Sequence, residues 1–221
     1  PTAVATAVID AHAILPAVGV TDPGTFVGTL GTSACYLLLH DRPVPVPGIS
    51  GVVRNGAVPG YWCYEAGQPA FGDTLAWYAR SYPRASTVEA SITSYAEASA
   101  ALPPGSDTLL ALDWWNGCRC PHADTGLSGL IVGLTLTSTP VEIFRALENS
   151  LCFGARLIRE GFTARGVDAS RVVMSSGVAE RMPTLVQRMA DVLDEEVRVP
   201  RLFNATAVGA AIHGAVAGGV C

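Results

Sequence analysis

Apolar and polar positions alternate in short runs broken by glycine- and proline-rich turns, the punctuation of a domain that mixes strands and helices. Residues 4–9 form an apolar run that reads as a buried strand ending on the lone carboxylate Asp10. Residues 11–19 favour a helix interrupted by Pro16, and Asp22-Pro23-Gly24 turns the chain into two further apolar runs, 25–30 and 34–39. These are the arms of a β-hairpin closed by the tight turn Gly31-Thr32-Ser33. A proline- and glycine-rich loop over 40–51 leads to residues 51–54 and 61–64, read as one further strand region that ends on Glu65-Ala66-Gly67. Three antiparallel strands therefore come first.

The period then changes. Phe71, Leu75 and Tyr78 recur at helical spacing within 68–82, a weaker helical pattern covers 86–102, and Pro103-Pro104-Gly105 ends it. Residues 108–112 read as a short buried strand whose tip, Asp113-Trp114-Trp115-Asn116-Gly117, faces a cleft. The longest helix is expected over 140–165, with proline in its first turn, one stripe of Phe144, Leu147, Leu151, Ile158 and Phe162, and Gly166 as its stop. A β-α-β-α unit follows: strand 171–174, turn Ser175-Ser176-Gly177, helix 181–193, strand 197–199 and a small-residue helix over 206–220. Such alternation implies parallel pairing with helices on both sheet faces. Three antiparallel strands followed by parallel β-α units is the order of an α/β ribonuclease-H-like domain of the actin type, here with a mixed five-stranded sheet.

Bulk composition narrows the classes of function. With 221 residues, 49% hydrophobic and 15% charged, the chain can bury a core and is not disordered, and a single domain is the expectation. No uninterrupted apolar stretch reaches the length of a membrane span. A net charge of −5 with scattered arginines argues against a nucleic-acid groove. Every fixed cation is arginine, so the lysine-dependent phosphate loops, the kinases that use a strand lysine and Schiff-base chemistry are all excluded. Six cysteines without framework spacing, and no leader-like opening, suggest a reducing, cytoplasmic setting. Cys118-Arg119-Cys120-Pro121-His122 lacks the second ligand pair of a closed zinc site.

The chemistry concentrates at three places. Asp10 follows an apolar run, where a carboxylate can accept a proton from an attacking hydroxyl or cap the helix that starts at Ala11. Gly31-Thr32-Ser33 suits either a plain hairpin turn or a cradle that aims backbone N–H groups at phosphate. Ser176-Gly177-Val178-Ala179, after a strand, allows close backbone approach to a nucleotide or is simply a strand-to-helix turn. Asp10 with the glycine turn suggests phosphoryl transfer.

Taken in order, Ile9-Asp10-Ala11-His12, Leu30-Gly31-Thr32-Ser33, Glu65-Ala66-Gly67-Gln68, Asp113-Trp114-Trp115-Asn116-Gly117, residues 173–179 and residues 205–211 resemble the carboxy-terminal domain of the FGGY carbohydrate kinases over nearly the whole chain. The Glu-Ala-Gly-Gln and Asp-Trp-x-Asn-Gly segments point to the ribulokinase branch rather than to xylulokinase or glycerol kinase. The resemblance implies ATP-dependent phosphorylation of the terminal (5-) hydroxyl of a ketopentose, most like L-ribulose, with Mg²⁺ on the phosphates. By the same resemblance Asp10 is the catalytic base and a metal-side carboxylate, and Glu65 reaches the sugar. Gly31, Thr32 and Ser33 face the ATP phosphates, and Gly177 and Val178 line the adenine. The implied domain plan is that residues 1–221 form the nucleotide-binding domain of a two-domain sugar kinase whose amino-terminal sugar-binding domain lies outside this chain. The partners are then ATP, a small-molecule sugar and that amino-terminal domain. A homodimer stays open, and neither nucleic acid nor membrane is expected. Another FGGY kinase, acting on xylulose, glycerol or another polyol, and a non-catalytic nucleotide-binding module of the same fold are the alternatives. One departure stands out, because Ser175-Ser176-Gly177 replaces the Gly-Gly usual in the family before the adenine helix.

Overall fold

Proline and glycine positions set the element boundaries in the computed structural model, which describes residues 2–5, 7–103, 105–202 and 204–220. A helix, α1 (Asp10–Ala17), precedes the hairpin strands β1 (Thr25–Leu30) and β2 (Ala34–His40). These are followed by β3 (Gly51–Arg54), β4 (Trp62–Gln68), α2 (Gly72–Ser81) and α3 (Val88–Ala100). A small ribbon, β5 (Leu110–Leu112) with β6 (Leu130–Val132), leads to the long helix α4 (Pro140–Thr163). The chain continues through β7 (Arg171–Ser175), α5 (Gly177–Arg181), α6 (Pro183–Leu193), β8 (Val197–Arg198) and α7 (Ala205–Ala217).

The main sheet has the order β3-β4-β2-β1-β7-β8. Its β3, β4, β2 and β1 pairings are antiparallel, whereas β7 pairs parallel to both β1 and β8. Successive strand residues feed opposite layers. Phe26, Tyr36, Leu38 and Tyr64 join a core with Leu75, Tyr95, Phe144, Leu147 and Leu151 of the helices on one face. Val27, Leu37, Leu39 and Val173 pack with Ile14 and Leu15 of α1 and Ala205 of α7 on the other. Strands β1 and β2 are buried almost throughout because both faces are covered. The expected stripe of α4 is wholly buried, and the helix opens on a capping box in which Thr139 and Glu142 satisfy each other's backbone N–H groups. Among the described residues no helix is long and apolar enough to cross a membrane.

Four expectations are corrected. Residues 4–9, apart from Thr6, which lies outside the described residues, form no strand: both flanks of β1 are taken by β2 and β7, and Val4 and Ile9 are 87% and 65% exposed. Asp10 therefore starts a helix instead of ending a strand. The region 51–68 is a hairpin of two strands, since Asn55 and Gly60, both at positive φ, reverse the chain and Asn55 Oδ1 accepts a bond from Gly60 N–H. This gives four antiparallel strands, and the sheet has six strands rather than five. Residues 110–112 pair only with β6, so Leu110 and Leu112 face outward rather than into the core. The helix expected over 181–193 is α6, which starts at Pro183, and a separate short helix, α5, precedes it where only a turn was expected, the two divided at Met182-Pro183.

Candidate functional site

The pairing register brings three chain segments to one end of the sheet. Leu30 lies opposite Ala34, Ala34 opposite Gln68, and Thr29 opposite Ser175. Hence the β1–β2 turn, the start of α2 after β4, and α5 after β7 leave the sheet together. The turn is fastened to α2 by its carbonyls: Gly31 O accepts from Gly72 N–H at 3.0 Å, and Thr32 O accepts from Phe71 N–H at 2.9 Å and Asp73 N–H at 3.2 Å. Three of the helix's opening N–H groups are satisfied in this way. Within the turn Gly31 N–H bonds Ser33 O, while Thr32 and Ser33 N–H have no backbone partner among the described residues.

Gly72 is the meeting point. A Cβ there would lie 2.7 Å from Gly31 O and 3.4 Å from Val178 Cγ2, so only a glycine lets the turn and α5 close on the helix start. The five residues expected to contact ATP, Gly31, Thr32, Ser33, Gly177 and Val178, are thus gathered on either side of Gly72. Arg181 folds its guanidinium back over Gly177, 2.9 Å from where a Cβ would stand. Ser176, which leads into α5, has φ 83° and ψ 174°, a region essentially reserved for glycine.

Asp10 and Glu65 belong to the opposite face, the one covered by α1. Asp10 is exposed in the first turn of α1 and its Oδ1 accepts from Ala11 N–H at 2.8 Å, so the capping use of this carboxylate is present. Two residues on, His12 Nε2 stands 3.6 Å from Glu65 Oε2, and the buried Nδ1 of His12 has no partner among the described residues. Cys35 of β2 is near enough to Glu65 and Asp10 to feel their charges. Burial first, then the charge of Glu65, pushes its thiol up to about 12, with Asp10 acting in the same sense and Arg119 in the opposite one. Asp10, Glu65 and the exposed Arg119 thus all act on one thiol, and His12 stands beside Glu65. Arg119 also lies 3.5 Å from where a Cβ on Gly67 would point. It was hidden in sequence by the cysteines on either side, whose spacing drew attention to metal binding. Both of those cysteines are buried, and Cys120 Sγ accepts from Gly67 N–H at 3.4 Å.

Beneath the turn a buried relay crosses the core. Tyr36 OH donates to Gln68 Oε1 at 2.6 Å, and Gln68 Nε2 donates to Asp113 Oδ2 and to Leu151 O. Asp113, expected at an open strand tip, is buried, and burial raises its pKa against the lowering effect of the Gln68 bond. Trp115 stacks on Trp77 of α2 at 4.9 Å, and Trp114 meets His122 edge-on. A groove of about 1220 Å³ is lined by residues of α5, α6, β8 and the segment that follows β8. Glu180, Asp191, Asp194, Glu195 and Glu196 line it against a single Arg201, a charge balance unsuited to a polyphosphate.

Comparison with known proteins gives a consistent result. Residues 26–218 match the model of the FGGY family of carbohydrate kinases, C-terminal domain. Two curated relatives, both named ribulokinase, are 43% identical: that of Halalkalibacterium halodurans over 98% of this chain, and that of Geobacillus thermodenitrificans over 99%. In each case the chain spans 40% of the relative's length. Among solved structures, xylulose kinase from Rhodospirillum rubrum superposes with a TM-score of 0.82 at 27% identity, covering 94% of this chain and 41% of that one. Plasmodium falciparum glycerol kinase with ADP shares the fold, with a TM-score of 0.78 at 16% identity over 96% of this chain and 42% of that one.

Proposed function

This chain belongs to the FGGY family of carbohydrate kinases, matching its C-terminal domain, and from that premise we propose that it is the ATP-side half of a ribulokinase. The reaction is transfer of the γ-phosphoryl group of ATP to the 5-hydroxyl of L-ribulose, completed when an amino-terminal domain closes over this one. The reading is carried by the convergence of the 31–33 turn, the start of α2 and the Ser176–Val178 segment at Gly72, with Asp10 and Glu65 reached from the α1 face.

In this mechanism the free N–H groups and hydroxyls of Thr32 and Ser33 hold phosphate oxygens, and Gly177 and Val178 bound the adenine. Glu65, steadied by His12, accepts hydroxyls of the sugar. Asp10, exposed at the start of α1, orients the attacking hydroxyl and takes its proton as the phosphoryl group leaves ADP. A loose phosphoryl transition state asks for positioning and charge stabilisation more than for covalent help, so one oriented carboxylate suffices. Among the described residues no three-ligand cluster stands ready for a metal. A lone carboxylate such as Asp10 fits Mg²⁺, which keeps water and phosphate oxygens as most of its ligands. Bound there, the ion would neutralise charge on the transferred group. The described cysteines are free thiols, which suits the cytoplasmic setting we infer.

The test is a coupled ADP-release assay on the full-length protein with ketopentoses and polyols. L-Ribulose is expected to give the highest kcat/KM, and Asp10→Asn to lower it by a factor of about 10² or more. Turnover unaltered by that substitution, or a clear preference for xylulose or glycerol, overturns the assignment.

A further inference from the structure

We propose that the pocket between α2 and the loop after β5 is a binding site for a neutral sugar, separate from the Asp10–Glu65 side of the sheet. Its volume is about 390 Å³, within the roughly 300–1,000 Å³ of small-molecule sites. Asp73, Trp77 and Arg80 line it from α2, and Trp115 and Asn116 line it from the loop. On α2 these three residues stand at i, i+4 and i+7, so they form one stripe along the helix. Gly72 is turned about 100° from Asp73 round the helix axis. It meets the 31–33 turn and Val178 instead. The pocket thus adjoins the phosphate turn, through the bond from Asp73 N–H to Thr32 O, and shares no residue with the expected nucleotide contacts or with Asp10 and Glu65.

The aromatic wall of the pocket is held in place before any ligand arrives. Trp115 stacks on Trp77 with ring centroids 4.9 Å apart. It also lies against Gly129, where a Cβ would overlap the indole. Two residues before Trp115, Asp113 is buried and bonded to Gln68, so the loop that carries the ring is anchored in the core. Such preorganisation lowers the cost of binding. Trp77, although stacked, stays 40% exposed. Asp73, Arg80 and Asn116 are exposed as well, and none of the ion pairs among the described residues engages Asp73 or Arg80.

Charge and spacing select the ligand. One carboxylate and one guanidinium leave the pocket without net charge, which favours neither an anion nor a cation. Seven residues of helix hold the two charges on the order of 10 Å apart along the axis, too far for the ammonium and carboxylate of a single amino acid to meet both. A sugar of one or two rings satisfies the whole set. Its weakly positive C–H face packs on the negative face of an indole, while its hydroxyls donate to Asp73, accept from Arg80 and do either with Asn116. The inference does not rest on the kinase reading, because it uses no residue of that mechanism.

Saturation-transfer NMR on the full-length protein without ATP tests it. The probes are methyl β-D-glucopyranoside, cellobiose and maltose, with glucose 6-phosphate and glycine as charged controls. At least one neutral probe is expected to bind with a Kd of about 1 mM or below, and neither control to bind as tightly. Trp77→Ala should weaken that binding at least about tenfold. The double substitution D73A/N116A changes only exposed polar groups and keeps the stack, so it should weaken binding at least about fivefold while leaving circular dichroism and thermal unfolding unchanged. Glu65→Gln should leave the affinity unaltered, which separates this pocket from the α1 face. No transfer to any neutral probe at about 10 mM, an affinity that the folded D73A/N116A variant retains, a loss on Glu65→Gln, or tighter binding of either control overturns the proposal. No turnover is measured, so the outcome is independent of whether the kinase assignment holds.

Discussion

Gln68 Nε2 donates to Asp113 Oδ2 at 2.5 Å, joining the end of β4 to the loop after β5 inside the core. Glu-Ala-Gly-Gln and Asp-Trp-x-Asn-Gly, two motifs 45 residues apart in sequence, are thus one physical unit. Gln68 also accepts from Tyr36, so its amide ties a buried phenol to a buried carboxylate. Gln68→Leu is expected to destabilise the protein by about 3 kcal/mol, because it leaves two buried polar groups without partners. The loss should be larger at pH 7 than at pH 4, since Gln68 stabilises the charged form of Asp113 and protonation removes the need for it. Urea denaturation at the two pH values measures both.

A second buried carboxylate sets a pH dependence. Glu148 of α4 accepts from Ser99 Oγ at 2.6 Å and lies 3.6 Å from Arg188, with Arg145 also acting on it. Burial outweighs all three and raises its pKa from 4.5 to about 7, while Oε1 has no partner among the described residues. The folded state then holds a proton that the unfolded state releases. Stability is full below about 4.5 and declines as pH rises to about 7, by about 3 kcal/mol. Glu148→Gln should flatten the stability–pH curve across that window, as followed by thermal unfolding from pH 4 to 8.

Ser176 holds a glycine-only backbone conformation without a side-chain cap to offset it. Ser176→Gly is expected to raise stability by about 1 kcal/mol, equivalent to a Tm increase of roughly 2–4 °C. Calorimetry reads the change directly, and an unchanged or lower Tm would mean that the serine hydroxyl contributes more than the strain costs.

Gly209 of α7 packs against α1 so closely that a Cβ would overlap the carbonyl oxygen of Ala13. Gly209→Ala must push the two helices apart, at an expected cost of about 3 kcal/mol. Chemical denaturation checks it, with Gly214→Ala on the same helix, which has open space, as the neutral control.

Elements whose burial is decided locally were readable from sequence: the 25–39 hairpin, the stripe of α4 and the β7–α5 turn all follow from period and turn chemistry. Residues 4–9 and 110–112 were misread for one shared reason. Apolar character predicts burial only where something covers the run: the described residues of 4–9 are exposed, and Leu110 and Leu112 lie on the uncovered face of their ribbon. Within the site, the glycine turns and Asp10 were visible because each sits beside an abrupt change of pattern. The side chains that stand beside Glu65 and Gly67 were not. His12 reaches Glu65 across 53 positions and Arg119 reaches Gly67 across 52, distances over which no periodicity carries information.

The contact between Ala13 and Gly209 has a consequence for how the site comes into being. Asp10 rides on a helix that packs on the sheet and against α7, nearly two hundred residues further along the chain. During synthesis the 31–33 turn and the strand that carries Glu65 can assemble early, from segments close in sequence. The contact between α1 and α7 cannot form until α7 has emerged. A ribosome-bound chain would therefore hold the hairpin turn in place before α1 has gained its last neighbour, and on the function proposed above the carboxylate of α1 would be the last part of the site to be fixed.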